Sequence, residues 1–490
     1  MRKWWPLVAV CLGAFMLLVD VTIVTVALPA MARGLRTSFA GLQWVLDIYA
    51  LSLAALLLGA GSLADLLGRR RVYIAGLVLF AAASLACGLA PNAATLIAAR
   101  GVQGIGGVAM FTTTLALINS TYQGRDRGVA FAVWGAVNGV AAAAGPILGG
   151  LLTEHVGWRS IFLVNLPVSA VTIALTLACV GASPGMPGAR PDVAGMGAFT
   201  VCAGALTYGL IRAGGDGFGA AVPVGMFGLA AVALVVFVVV ERRIGHPLLD
   251  LGLFRSPSFT AIMLGGLLLM ASAFACLAFT SVWLQAELGL GPVRAGLALL
   301  PMAVTSFVAS AASARLLNRV SPRLTIGIGL LLIGTGSGLQ AVLDASSSWT
   351  ALVPGLMVGG LGVGIAIPAL SSAAMAVAPH ERGGMAAGAF NTFRQLGYAL
   401  GIAVLGVVLR SRVEHVLTGH VPDAHAMAGA ASGGRAPHVA IVGSAVASGL
   451  NAVYAVSAAL GLAGGIIVLA LVRPARSVRD PEPARETAAA

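Results

Sequence analysis

Apolar residues run in long unbroken stretches along this chain, and polar residues gather in short segments between them. A helix that crosses a bilayer needs about 20 consecutive, mostly apolar residues. By that measure the pattern predicts fourteen crossing helices, over 6–29, 43–63, 72–90, 94–119, 128–152, 160–181, 193–212, 220–240, 259–283, 294–314, 324–343, 350–378, 384–410 and 447–472. The runs are too continuous for the roughly ten-residue alternating segments of a membrane β-barrel. The expected fold class is an all-α polytopic membrane protein. The opening MRKWWPLVAV resembles a secretory leader, with a basic start and an apolar run. That run continues to about Leu28 without a cleavage-type ending, so it reads as the first span.

Composition agrees. The 490 residues are 59% hydrophobic and 9% charged, where soluble domains carry about 25% charged residues. Mean hydropathy is +0.97. A net charge of +12 could suggest nucleic acid as a partner. The loops explain it better. With the N-terminus inside, most Arg and Lys residues fall on that side, including Arg2, Lys3, Arg69, Arg70, Arg71, Arg242 and Arg243. Such a bias places both termini in the cytoplasm and requires an even number of spans. The expected location is the inner (plasma) membrane. Cys11, Cys87, Cys179, Cys202 and Cys276 lie in apolar segments without paired or metal-type spacing, so no disulfide framework and no metal site is expected.

The two ends of the chain repeat one another. LIAARGVQGIGGV at 96–108 aligns with LVPGLMVGGLGVG at 352–364, and RGVAF at 127–131 with RGGMA at 382–386. Gly145 and Gly150 then match Gly401 and Gly406. Weak parallel repeats of this kind point to a transporter of two halves about an axis along the membrane normal. The expected organisation is a six-helix half over 1–182, a linker with two extra helices over 183–258, a second six-helix half over 259–472, and a disordered cytoplasmic tail over 473–490.

Charges inside spans carry the candidate chemistry. Asp20 lies near the middle of the first span, and Asp47 and Arg100 lie toward the outer side of the second and fourth. A carboxylate at mid-bilayer costs roughly 2.5–3.5 kcal/mol on insertion scales, so it faces a cavity or a partner. Either Asp could pair with Arg100, since helix rise gives depth alone. One role is a buried ion pair that holds helices together; the other is a carboxylate that takes up and releases a proton. At the cytoplasmic end of the second span, GSLADLLGRRR places Gly61 and Gly68 for tight packing and a turn. Asp65, Arg69, Arg70 and Asp126 there could exchange ion pairs, with Asp126 a candidate partner for Arg69. The fifth span, WGAVNGVAAAAGPILGG, carries Asn138, Gly145, Pro146, Gly149 and Gly150. A membrane helix tolerates such breakers, and its small residues admit a close neighbour.

These motifs resemble the major facilitator superfamily, specifically its fourteen-span drug:proton antiporters. GSLADLLGRRR resembles the family's cytoplasmic-loop motif, with Leu66 where a basic residue is common. LIAARGVQGIGG resembles the fourth-helix motif, which implies a role for Arg100 in proton transfer. The stretch from Asn138 to Gly150 resembles the fifth-helix motif of exporters. LLVDVTIVTVALP and WRSIFLVNLPV resemble the first- and sixth-helix segments of the group, and QWVLDIYAL resembles the branch that exports quaternary ammonium compounds and cationic dyes. Spans nine to fourteen contain no internal Asp or Glu, which argues against divalent-cation export.

In the second half, Asn391, Arg394 and Gln395 form a polar patch, and with Trp134 could line a substrate cavity or simply bind helix to helix. His415, His420, His425 and His438 fall in a loop, 411–446, expected to be solvated and poorly ordered. GVQGIGG lies inside a span and lacks a Walker lysine, so no ATP site is expected. No nucleophile-and-base pattern suggests an enzyme. The expected function is proton-driven efflux of drugs or other hydrophobic molecules, cationic ones among them, by a monomer in the lipid bilayer, without cofactor. A self-resistance exporter for one antibiotic and a solute importer are the alternatives.

Overall fold

The computed structural model describes residues 2–181, 192–244, 249–316, 320–377, 383–434, 436 and 439–473. Among them there is no strand. The helices are α1 (Trp5–Leu35), α2 (Phe39–Leu67), α3 (Arg69–Gly88), α4 (Ala93–Thr121), α5 (Gly124–His155), α6 (Ser160–Leu163), α7 (Asn165–Cys179), α8 (Val193–Asp216), α9 (Ala221–Arg243), α10 (Pro257–Ala273), α11 (Ala275–Ala286), α12 (Pro292–Ala298), α13 (Leu300–Leu316), α14 (Pro322–Gln340), α15 (Val353–Val377), α16 (Gly383–Leu417), α17 (Ala424–Ser432) and α18 (Ala440–Leu471). Twelve helical segments among the described residues are long and apolar enough to cross a membrane. They do not include α2 and α5, which are 29 and 32 residues long. The linker 182–191 and the tail 474–490 lie outside the described residues.

Local chemistry sets the boundaries. Ser38 caps α2 through Gly41 N at 3.2 Å, and Asn92 caps α4 through Thr95 N at 2.9 Å. Each side chain satisfies a backbone donor that the first turn leaves unpaired. Gly68 alone separates α2 from α3, at φ 91°, a conformation that favours glycine. Proline accounts for two interruptions. Pro167 cannot donate back to Leu163, where α6 ends, and Pro301 cannot donate to Leu297, beside the end of α12.

The helices pack as two bundles. In the N-terminal bundle α1 lies against α4, α5 and α7, α2 against α4, and α3 against α4 and α7. In the C-terminal bundle α10 lies against α15, α16 and α18, α14 against α15 and α18, and α13 against α15. The bundles meet along α2–α16, α5–α12, α5–α13 and α1–α11. The hairpin α8–α9 stands outside both, with α8 on the α2–α16 seam. There Trp44 of α2 and Tyr208 of α8 have ring centroids 5.9 Å apart.

Both ends of the described chain share one face. Lys3 Nζ meets Asp126 Oδ2 at 2.6 Å, which places the starts of α1 and α5 together. Arg473 N donates to Ser258 Oγ at 3.0 Å, which places the end of α18 beside the start of α10. This is called the terminal face below, and the opposite one the distal face. The segment after α16 differs from expectation: α16 runs on to Leu417, and α17 follows with Ala428, Ala431 and Ser432 buried. Asp423 caps α17 through Ala426 N at 2.9 Å, so much of this segment is helical.

Candidate functional site

The structure chooses between the two carboxylates. Arg100 pairs with Asp20, Nη1 to Oδ2 at 2.5 Å, and both side chains are fully buried. Gln103 Nε2 donates to the other oxygen, Oδ1, at 2.9 Å, and Asn165 Nδ2 donates to it at 3.0 Å. Both amides also donate to Ser84 Oγ, at 2.8 and 3.3 Å. Arg100 is completed by Gln103 Oε1 at 2.7 Å, by the Val45 carbonyl at 3.2 Å from Nε, and by the Tyr49 ring 4.2 Å away. Five helices, α1, α2, α3, α4 and α7, thus converge on one buried network around the Asp20–Arg100 pair. A buried charge is tolerable only with such partners.

Gln103, Asn165 and Ser84 were not singled out in the sequence. The signal for Gln103 is its spacing, three residues after Arg100 and so on the same helix face. Asn165 stands inside WRSIFLVNLPV, and Ser84 gives no sign in its apolar run.

Asp47 is different. It is fully buried on α2, and neither carboxylate oxygen has a hydrogen-bond partner. It does not pair with Arg100, which takes the backbone of Val45 on that helix instead. One turn earlier on α2, Gln43 Nε2 donates across the seam to the Ile402 carbonyl of α16, at 3.2 Å. Asp47 therefore sits beside the junction of the two bundles.

At the terminal face, Asp126 Oδ2 pairs with Lys3 Nζ at 2.6 Å. Arg69 Nη1 reaches the Ala116 carbonyl at 3.5 Å, and Arg70 Nη2 the Leu177 carbonyl at 2.7 Å. Gly61 and Asp65 lie in the last turns of α2. The side chains of Asp65 and Asn138 fall outside the described residues.

The α5 glycines split between two partners. A Cβ on Gly145 would collide with Thr22, and one on Gly149 would come within 2.7 Å of the Ile23 carbonyl oxygen, so both press on α1 inside their own bundle. A Cβ on Gly150 would come within 2.6 Å of Val293 Cα, on α12 of the other bundle. Of the two glycines matched by the repeat, Gly150 meets the other bundle, whereas Gly145 meets α1 of its own. Pro146 lies beside Gly296 of α12. Gly401 and Gly406 repeat the division, Gly401 against Ala271 of α10 and Gly406 against Gln43 of α2.

Of the residues expected at a substrate cavity, Asn391 and Arg394 come together, Nη1 to Oδ1 at 3.4 Å. Trp134 lies apart, packed on the cluster of Leu7, Tyr73 and Tyr122, with its Nε1 buried and unpartnered. His425 bridges Glu414 at 3.1 Å and Arg410 at 2.8 Å. Among the described residues no group of His, Cys, Asp and Glu could hold a metal.

Two helical bundles that meet along α2–α16, α5–α12, α5–α13 and α1–α11 and enclose buried charges define a membrane transporter fold. The chain belongs to the Major Facilitator Superfamily, whose family profile matches residues 10–402. It is 37% identical over 422 residues to the Multidrug resistance protein Stp of Mycobacterium tuberculosis, covering 85% of this chain and 78% of that one. It is 31% identical over 507 residues to the Tetracenomycin C resistance and export protein of Streptomyces glaucescens, covering 98% and 94%. Its fold matches that of a bacterial homolog of the human lysosomal transporter Spinster, with a TM-score of 0.65, 16% identity, and 96% and 97% coverage.

Proposed function

We propose that this protein is a proton-driven exporter of hydrophobic small molecules, acting as a monomer in the plasma membrane. In this reading it has fourteen spans, the twelve segments above together with α2 and α5, and its terminal face is cytoplasmic. The resistance and export proteins it resembles support the direction of transport. Of the terms left open in the sequence, Asp20 becomes the fixed counter-ion of Arg100 and Asp47 the proton carrier.

The observation that carries this reading is Asp47, buried at the junction with both oxygens unpartnered. An unpaired carboxylate anion costs several kcal/mol there, so Asp47 holds its proton in this conformation. Asp20 is instead held in place by its arginine and two amide donors. All described hydrogen bonds between the bundles lie toward the distal face: Gln43 to Ile402, Gln285 to Val26 at 2.8 Å, and Val293 to Glu154 at 3.1 Å. A rocking motion that opens this face would carry Asp47 out of its dry position and toward the proton source. Drug entering from the terminal side, and the proton gradient, would then drive opposite legs of one cycle. Neither ATP nor a metal is required.

The test is dye uptake into inverted membrane vesicles. Uptake should follow an imposed proton gradient, collapse with a protonophore, and vanish in Asp47→Asn while the protein remains in the membrane. Uptake that requires ATP, or that survives intact in Asp47→Asn, overturns the reading.

A further inference from the structure

Arg394 is the intramembrane charge that the protein leaves unanswered. It lies on α16, about 16 Å in from the terminal end of that helix at 1.5 Å per residue. Its Nη1 makes a long 3.4 Å contact to Asn391 of its own helix, its Nε is buried without a partner, and its guanidinium lies 5.8 Å from the Phe390 ring. Among the described residues no carboxylate pairs with it. Spans nine to fourteen supply no Asp or Glu in their interiors. Asp47, the unpartnered acid of the other bundle, does not reach it, since neither of its oxygens has a hydrogen-bond partner.

Arg100 shows what a satisfied arginine looks like in this protein: a carboxylate, an amide, a carbonyl and an aromatic face. Arg394 has almost none of these, and a guanidinium cannot discharge itself as a carboxylic acid can. Room is kept for it all the same. A Cβ on Gly266 of α10 would come within 3.3 Å of Arg394 Cγ and 2.7 Å of the Phe390 ring. The side chain is only part-buried, at a depth where no described hydrogen bond joins the bundles. An intramembrane charge so placed marks a substrate pathway.

We propose that Arg394 docks an anionic group of the transported compound, a carboxylate, sulfonate or ionised phenol carried on an apolar body. Asn391 and the Phe390 ring complete the site, the first by hydrogen bonding and the second by apolar contact. This rests on the export reading above and narrows it. The preferred substrate is then an amphipathic organic anion, and not the cationic dyes suggested by QWVLDIYAL.

Two fluorescent probes that share a ring system separate the possibilities: the anion anilinonaphthalene sulfonate and the neutral N-phenylnaphthylamine. Each is followed in inverted vesicles under a proton gradient. Wild type should accumulate both. Arg394→Gln should lower anion uptake at low probe concentration by about tenfold or more and leave the neutral probe nearly unchanged, as expected for loss of a charged hydrogen bond. Arg394→Lys, which keeps the charge and loses the fork, should fall between. Equal loss of both probes in Arg394→Lys and Arg394→Gln would make the residue structural and overturn the proposal, as would unchanged anion uptake. Recovery of Arg394→Gln by a second change, Asp47→Asn, would mean that the two charges pair in the other conformation, and would also overturn it. Wild type that moves the neutral probe but not the anion refutes the anion site and leaves export standing. Wild type that moves neither refutes export itself, and the site with it.

Discussion

At Asp20 and Arg100 the same charges can stabilise or destabilise, depending on what surrounds them. Removing one member of a buried pair leaves the other uncompensated, at a cost of about 3–5 kcal/mol, whereas replacing both with apolar residues is often neutral. The repeat offers a natural control, because Leu356 occupies the position aligned with Arg100 and is itself buried. Asp20→Ala and Arg100→Leu should each sharply lower thermal stability in detergent. The double variant Asp20→Ala with Arg100→Leu should recover much of that loss, giving a strongly non-additive cycle. Additive losses would mean that the pair contributes little. Asp47→Asn should behave oppositely, with stability unchanged or raised and proton-driven transport lost. The sequence placed these residues at their depths, yet left open which acid meets Arg100. Rise along a helix fixes depth, but the angle around the axis depends on packing, and a lone Asp in an apolar run carries no signal of its neighbour.

Among the elements, α5 shows what glycine spacing says and what it omits. Its small residues correctly announce a close helix neighbour. They do not say that Gly145 and Gly149 face α1 while Gly150 faces α12, because the identity of the neighbour is settled by tertiary contacts. Gly150→Val should drive a side chain into Val293 and Pro292, lose about 1–3 kcal/mol of stability through overpacking, and weaken the distal junction. Gly204→Ala, on α8 where an added Cβ meets nothing within 4 Å, should instead gain up to about 1 kcal/mol from helix propensity. Thermal unfolding of both variants checks the pair. Glu154, Gln43 and Gln285 were not anticipated at all, since single polar residues near helix ends read as ordinary boundary residues. Glu154→Ala removes a charged acceptor from Val293 N. It should shift the population toward a distally open form by roughly tenfold or more. Distance measurements between spin labels at the distal ends of α1 and α12 should lengthen; unchanged distances would deny this contact a role in closure.

For the whole molecule, the apolar runs made the helical class and the repeat legible, because bilayer thickness imposes a length that sequence alone reports. The site of the extra hairpin was not legible. Nothing in the apolar run of 193–240 says where that pair docks, and only the structure places α8 over the α2–α16 seam. That seam is the one beside which Asp47 sits and through which Gln43 reaches α16. The contacts are shallow: Gly214 lies against Val407, and Trp44 against Tyr208 at 5.9 Å. Much of α9 faces outward, with Val232, Val235 and Val236 exposed, as suits a lipid-facing helix. The hairpin is thus an apolar cover on the seam and holds no residue of the buried charge network. Replacing 182–248 with a flexible linker should leave the two bundles able to insert, with Asp20 and Arg100 still paired. It should nevertheless bare the α2–α16 seam to lipid and lower thermal stability, and proton leak should rise as the dry surroundings of Asp47 loosen. Proton flux into vesicles without drug measures this directly. A truncated protein as tight to protons as the full chain would mean that the seam is sealed by the two bundles alone.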